Sequence, residues 1–343
     1  MGKILSKKLL FSMLFVILAV FLVLFVLKST NMALVLVVLF ILFAAIFIIG
    51  LIVFSQTDKI KNKWIRGIIK GVFLLVYILF YFSVAIDLIA TASFFHPNQN
   101  AISYKELLSL KNMSEVTIQN SNNIYSGWFV KNTDGKAPLV IFFGGNRQCA
   151  SQACADFQKG GYWTAYAGYN FMAIDYPGYG RSSGSPSEEA IFKMALLAYD
   201  YATTRNDVDG SKIVVEGYSL GTGAAAYLAS QRSVTGLILI APFDQALSMY
   251  NSQLDIFHGP LKLLASYHFN STAYAKNIKI KPLIITSTSD ELINYKLSEN
   301  LAKYFPTKPD FHLLNGLRHN DYLTGNAAEV PGIIASYLQK VVK

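Results

Sequence analysis

Three apolar runs crowd the first 95 residues of this chain: Leu9–Leu27, Met32–Phe54 and about Gly71–Phe95. Each reaches the roughly 18 apolar residues that a helix needs to cross a bilayer, so this stretch is expected to form three transmembrane helices and no soluble domain. Composition agrees: 53% of the 343 residues are hydrophobic and only 15% charged, against about 25% charged in an ordinary soluble domain. An intrinsically disordered chain is excluded. The net charge of +9 is not spread evenly, because residues 1–95 hold nine Lys/Arg against two Asp/Glu and the remainder twenty-one against nineteen. A basic excess beside apolar segments is a topology signal. The implied partner is therefore the lipid bilayer, and nucleic acid is not expected.

The start, MGKILSKK, has the basic character of a secretory leader, but KSTN follows the first run in place of a small-residue cleavage site and a second apolar run begins at once. The first run is thus expected to stay as a span. The acylation-like pattern at Gly2 and Ser6 is a chance match beside three spans. Lys3, Lys7 and Lys8 precede the first run, only Lys28 follows it, and Lys59, Lys61, Lys63, Arg66 and Lys70 fill the loop before the third. Basic flanks stay in the cytoplasm, so the N-terminus is expected there and everything after about residue 96 on the non-cytoplasmic face, the periplasmic side if the cell is bacterial. Asp87, late in the third run, then lies near the outer interface, where water reaches it.

Residues 96–112 read as a polar connector with one short amphipathic stretch, SYKELLSL. From Met113 the pattern changes. VTIQNSNNIYSGWFVKN reads as a hairpin, and six apolar β-rich runs follow: 138–145, 171–178, 212–219, 237–243, 282–290 and 310–316. Helical patterns separate or follow them at Ala153–Tyr166, Ser187–Thr203, Thr222–Ser230, Leu297–Tyr304 and Gly332–Lys340. Continuous β-branched runs alternating with helices predict an α/β domain over 113–343, a mostly parallel sheet covered by helices on both faces. Ligands of such sheets bind beyond the carboxyl ends of the strands.

The strongest local feature is Gly217-Tyr218-Ser219-Leu220-Gly221, placed between the strand KIVVE and the helix-like TGAAAYLAS. A serine on a tight strand-to-helix turn is pushed outward, and flanking Gly217 and Gly221 let the backbone come close. Such a serine needs a base, and the base needs an orienting carboxylate. Asp290 ends the run 282–290 and His319 follows the run 310–316, so both fall at the active edge in the order Ser, Asp, His. Glu291 adjoins Asp290 but points elsewhere if Asp290 ends a strand. Asp310 begins a strand at the wrong edge, and His312 lies within it. His258 and His268 are out of order, and His96 directly follows the third apolar run. The developing oxyanion needs backbone N–H donors; Leu220 and Asn146, the latter in FFGGN with Gly144 and Gly145, are the candidates.

Cys149 and Cys154 have a spacing that closes a small disulfide loop in an oxidising compartment. Two unlinked thiols is the equal alternative. No further ligands lie near them, and no metal or organic cofactor is called for.

Taken in order, FFGGN, DYPGYGRSSGSPSEEA, VEGYSLGTGAAAYLAS, TSTSDELI and LRHND resemble the signatures of membrane-anchored α/β-hydrolase-domain proteins. These are serine hydrolases related to lysophospholipases, acyl-protein thioesterases and serine aminopeptidases. The resemblance covers about residues 113–343. It implies the α/β-hydrolase fold, Ser219 as nucleophile, Asp290 as orienting acid, His319 as base, and the Asn146 and Leu220 amides as oxyanion donors. Many relatives carry His-Gly-Asn where this chain has Gly144-Gly145-Asn146. The segment from about 244 to 281, rich in Tyr, Phe and Leu, stands where a cap commonly covers the site. The expected activity is hydrolysis of an ester or thioester of a small acyl or lipid-like molecule. Amide or peptide cleavage of the serine aminopeptidase type, and a non-catalytic hydrolase-like binding protein, are the alternatives. Oligomeric state is not legible.

Overall fold

The computed structural model describes residues 57–343 apart from 100–103, 111, 121–122, 254, 256, 260–261, 263–264, 266, 325 and 343, together with 50, 52, 54 and 55. The run Leu9–Leu27 and nearly all of Met32–Phe54 lie outside the described residues. The third run falls on helix α1 (Lys63–Phe94), which begins upstream in the basic segment, so that Lys63, Arg66 and Lys70 occupy its first turns. Among the described residues no helix is long and apolar enough to cross a membrane, and the expected three-span anchor is not seen. Two compact units meet between Ile86 and Asp87. The second carries the sheet.

The hairpin forms as expected, β1 (Met113–Asn120) pairing antiparallel with β2 (Asn123–Val130). The six later runs become β3 (Ala137–Phe143), β4 (Asn170–Ile174), β5 (Val208–Tyr218), β6 (Gly236–Ile240), β7 (Leu283–Ser287) and β8 (Asp310–Leu314). Together they make an eight-stranded sheet in the order β1-β2-β4-β3-β5-β6-β7-β8. β2 meets β4 antiparallel, and every pairing from β4 to β8 is parallel. β3, β4, β6 and β7 are buried along nearly their whole length. That burial on both faces explains why their sequences run as unbroken Val, Ile, Leu and Phe with no polar alternation.

Helices cover the two faces. On one lie α4 (Glu188–Thr204) and α5 (Leu220–Gln231); on the other lie α3 (Ala150–Gly160) and α9 (Glu329–Val341), packed over Phe157, Tyr162 and Tyr166. The expected helix Ala153–Tyr166 is in fact two pieces. Gly161 takes a left-handed φ of 71° and donates its N–H to Phe157 O, ending α3, and a 3-10 turn follows over Tyr162–Tyr166. Glycine at that position stops a helix because it alone adopts the left-handed conformation without a side-chain clash. α4 starts where expected: Ser187 accepts from the Ala190 amide, and Glu188 and Glu189 complement the helix dipole in the first turn.

Residues 96–112, read as a connector, are partly built into this unit. Leu107 is buried, and α2 (Tyr104–Leu108) packs on α3 and β1. The 244–281 segment holds α6 (Ala246–Gln253) and α7 (Ser271–Ala275), followed after β7 by α8 (Tyr295–Ala302). Its Phe269 and Tyr274 join Phe192 of α4 and Tyr227 of α5 in an aromatic cluster, the Phe192 and Tyr227 rings stacked at 4.0 Å.

Candidate active site

Parallel strands bring their carboxyl ends to one edge, and there the loops after β3, β4, β5, β7 and β8 converge. β5 ends at Tyr218 and α5 begins at Leu220, so the whole strand-to-helix turn is one residue, Ser219, with φ 52° and ψ −117°. A non-glycine residue in that region is strained by about 1–3 kcal/mol, and it persists only where its surroundings over-determine it. They do. The Ser219 amide donates to Ile240 O at 2.9 Å and its carbonyl accepts from the Thr222 amide at 3.0 Å. A methyl group on Gly217 would run into the Gly221 carbonyl, and one on Gly221 into the carbonyl of Phe143 on the neighbouring strand. The two glycines are thus needed for close approach of α5 to β5 and β3.

Asp290 does not end its strand. β7 stops at Ser287, and Asp290 lies in the loop beyond, where its Oδ1 accepts from the Leu292 and Ile293 amides at 3.0 and 2.8 Å. His319 opens a 3-10 turn (His319–Asp321) after β8. Its Nδ1 lies 2.9 and 3.0 Å from the two Asp290 oxygens, and its Nε2 lies 2.8 Å from Ser219 Oγ. A carboxylate only accepts, so Nδ1 carries the ring hydrogen and Nε2 is left to accept the serine proton. All three side chains are buried, at 8%, 8% and 5% exposure for Ser219, Asp290 and His319. Water competes little for these contacts, and that strengthens them electrostatically. The arrangement is able to polarise the Ser219 hydroxyl and to hold the imidazolium that would result.

Residues that the sequence reading passed over fix this geometry. Tyr218 donates its hydroxyl to His319 O at 2.5 Å and stacks its ring on the imidazole at 5.4 Å. Glu291, set aside on the premise that Asp290 ends a strand, instead bonds beside the imidazole: its carboxylate accepts from the His319 amide at 3.1 Å and from Arg318 at 3.4 Å. Its own backbone amide and that of His319 hold the Glu291 carboxyl below its ordinary range. In the sequence, Tyr218 is marked only as the residue before Ser219 in GYSLG, and nothing there signals its hydroxyl's partner.

The turn after β3 faces the serine. A methyl group on Gly145 would lie 2.8 Å from the Tyr218 ring and 3.6 Å from Ser219 Cβ. The Gly144 turn is held by neighbouring side chains. Gln148 Oε1 fills the space over Gly144 and accepts from the Gly145 amide at 3.1 Å, while the Tyr176 hydroxyl donates to Gly144 O at 2.5 Å. Asn146 Oδ1 accepts from the Tyr179 hydroxyl at 2.8 Å and from the His96 amide at 2.8 Å.

Beneath the turn lies Asp175, buried at the end of β4. It accepts from the Ala150 amide at 2.6 Å and the Arg181 amide at 3.2 Å. Cys149, at the N-cap of α3, makes no side-chain cap, and the Asp175 carboxylate takes that role from across the sheet. Burial pushes the Asp175 carboxyl up to about 6, against the pull of its two amide donors. Glu216, buried on β5 beneath Tyr166, accepts that hydroxyl at 3.0 and 3.1 Å, and burial pushes it up to about 8.

The disulfide is not formed: Cys149 and Cys154 both keep their thiols, and both are buried. Five residues apart at the start of a helix, they stand about 140° apart around its axis, on different faces. Cys149 Sγ instead meets Ser151 Oγ at 3.3 Å. Among the described residues no group of three or more His, Cys, Asp or Glu side chains is placed to hold a metal ion. His312 sits near Asp310 on β8 and His258 beside Asp255. The 244–281 segment packs on α4, α5 and Phe95, and it is tied to Asn300 of α8 through Asp244, to Thr307 through Lys279 O and to Tyr337 of α9 through Lys281 O.

The chain resembles known proteins in sequence and fold. Residues 139–277 match the family described as alpha/beta hydrolase fold. An uncharacterized protein of Mycobacterium tuberculosis is 29% identical over 202 residues, 57% of this chain and 68% of that one. Alpha/beta hydrolase domain-containing protein 17C of Xenopus tropicalis is 30% identical over 195 residues, 56% of this chain and 59% of that one. Among solved structures, the Pyrococcus furiosus esterase Pf2001 superposes with a TM-score of 0.54 at 18% identity, covering 70% of this chain and 95% of that one. The chain has the α/β-hydrolase fold.

Proposed function

We propose that this α/β-hydrolase-fold chain is a membrane-anchored serine hydrolase that cleaves an ester or thioester of an acyl or lipid-like molecule. One observation carries the reading: the unbroken contact from Ser219 Oγ through the His319 ring to Asp290 at the carboxyl edge of the sheet. In this reading Ser219 Oγ attacks the carbonyl carbon while its proton passes to His319 Nε2. The tetrahedral oxyanion is met by the Leu220 and Asn146 amides. Collapse breaks the C–O or C–S bond, and His319 returns the proton to the leaving alcohol or thiol. Water then repeats the sequence on the acyl-Ser219 ester and releases the acid.

The bilayer reading rests on the three apolar sequence runs and their Lys/Arg flanks, which put the N-terminus in the cytoplasm and the hydrolase unit on the opposite face. Proximity to a membrane fits an acyl-bearing substrate. The test is fluorophosphonate labelling of membranes containing the full chain, comparing wild type with Ser219→Ala. Labelling that vanishes in the variant supports the reading and justifies an ester and thioester panel. Folded wild-type protein that stays unlabelled overturns it in favour of a hydrolase-like binding protein.

A further inference from the structure

The five residues after α1, Phe95-His96-Pro97-Asn98-Gln99, are described throughout and thread between three parts of the site region. Phe95 is buried against Tyr267 and Phe269, with ring centroids at 4.8 and 6.3 Å. Asn98 Nδ2 donates to Arg147 O at 3.0 Å and its carbonyl accepts from the Gly180 amide at 2.8 Å. Between them, His96 meets the side chain of Asn146.

The donors around Asn146 determine which way its amide faces. Oδ1 accepts from three groups: the His96 amide at 2.8 Å, the Tyr179 hydroxyl at 2.8 Å and the Arg147 amide at 3.1 Å. An amide nitrogen could accept none of them. Nδ2 therefore points at His96 Nδ1, 3.1 Å away, and donates to it. That contact exists only if Nδ1 holds a lone pair, which requires a neutral imidazole with its hydrogen on Nε2. Burial and the facing Arg147 guanidinium lower the His96 pKa and so favour that neutral form. The arrangement has something to hold, since Arg147, the next residue, sits at a left-handed φ of 64°, a conformation that costs a side chain about 1–2 kcal/mol.

We propose that His96 is a positioning residue for the oxyanion turn: its Nδ1 clamps the Asn146 side chain and thereby aims the Asn146 backbone N–H at the carbonyl oxygen attacked by Ser219. The inference rests on the serine-hydrolase reading and adds to it a residue from outside the 113–343 region. His96 touches no reacting atom. Its effect is confined to stabilising charge that develops after binding, so it acts on the chemical step and not on substrate affinity.

The test measures fluorophosphonate inactivation of the full chain in detergent as a function of probe concentration. His96→Leu, which keeps the backbone donor but removes Nδ1, lowers the maximal inactivation rate about tenfold with an unchanged half-saturating concentration. His96→Asn, whose side-chain oxygen takes the place of Nδ1, recovers most of that loss. Asn146→Ala is slower than wild type, and adding His96→Leu to it produces no further loss, because both remove one shared contact. His96→Leu reacting like wild type overturns the inference alone, as does an equal loss in His96→Leu and His96→Asn at unchanged melting temperature. Wild type that fails to react overturns the hydrolase reading itself, and the inference with it.

Discussion

The two walls of the site are built in different ways. On one side, Asp290 and His319 stand on loops that leave adjacent strands, β7 and β8, and bond to amides within three residues or to each other across neighbouring loops. On the other, the turn Gly144–Arg147 makes its key contacts at long range, to His96, Tyr176 and Tyr179. The first wall is set by strand order. The second is assembled from side chains that meet only once the chain has folded. The difference teaches that the Ser219–His319–Asp290 contact and the proposed oxyanion turn have separate supports, so each can be damaged without the other.

The largest expected effect comes from the first wall. Asp290→Asn places an amide against His319 Nδ1, favours the wrong tautomer, and lowers the fluorophosphonate reaction by about 10³–10⁴-fold. On the second wall, Tyr179→Phe removes only one of the donors to Asn146 Oδ1 and should slow the same reaction about tenfold. Comparable losses in the two variants would break the distinction between relay and support.

Glycine substitutions sharpen the contrast through stability. A methyl group on Gly221 meets the backbone carbonyl of Phe143, which cannot yield without moving β3. Gly221→Ala is expected to lower the melting temperature by roughly 5–10 °C, as overpacking by a few kcal/mol does in a unit of this size. A methyl group on Gly144 meets only the tip of Gln148, 2.8 Å away, and a flexible side chain moves aside. Gly144→Ala should shift the melting temperature by no more than about 2 °C. Thermal unfolding of both variants in detergent checks the pair, and equal shifts would mean that the Gly144 turn is as rigidly packed as α5.

A further expected effect is a pH dependence lodged beneath Ser219. The folded Glu216 carboxyl is raised from its ordinary 4.5 to about 8. Folding therefore binds a proton there, and the associated stability is complete below about 4.5 and lost as pH rises towards 8. Melting temperatures of wild type and Glu216→Gln at pH 5, 6.5 and 8 should diverge, the wild type falling with pH relative to the variant. Asp175, raised to about 6, adds a loss of the same sign in both proteins and so cancels in the comparison.

The first wall was legible in the sequence because its logic is linear. Strand, GYSLG and helix, then Asp290 and His319 after successive strands, give order and edge at once. What sequence missed there was Tyr218 and Glu291, whose work is done by a hydroxyl and a carboxylate bonding to the His319 backbone, a partner that no motif specifies. The second wall was legible only as a glycine turn ending in Asn146. His96 reads only as the residue after an apolar run; its partner Asn146 lies fifty residues away, and no local pattern encodes such a distance. For Cys149 and Cys154 the interval alone leaves a disulfide and two thiols equally open, because it suits a small loop as well as the first turns of α3 that the chain forms there. The helix expected over Ala153–Tyr166 ignored Gly161, whose left-handed conformation ends it.

The most direct test of the central claim is to locate the covalent adduct. Wild-type protein is reacted with a fluorophosphonate, digested and mapped by mass spectrometry, with His319→Ala treated in parallel. The account predicts one modified peptide, carrying the phosphonyl group on Ser219, and no adduct at the same exposure time in His319→Ala. Modification at another residue, or an equal yield on Ser219 without the imidazole, would contradict it.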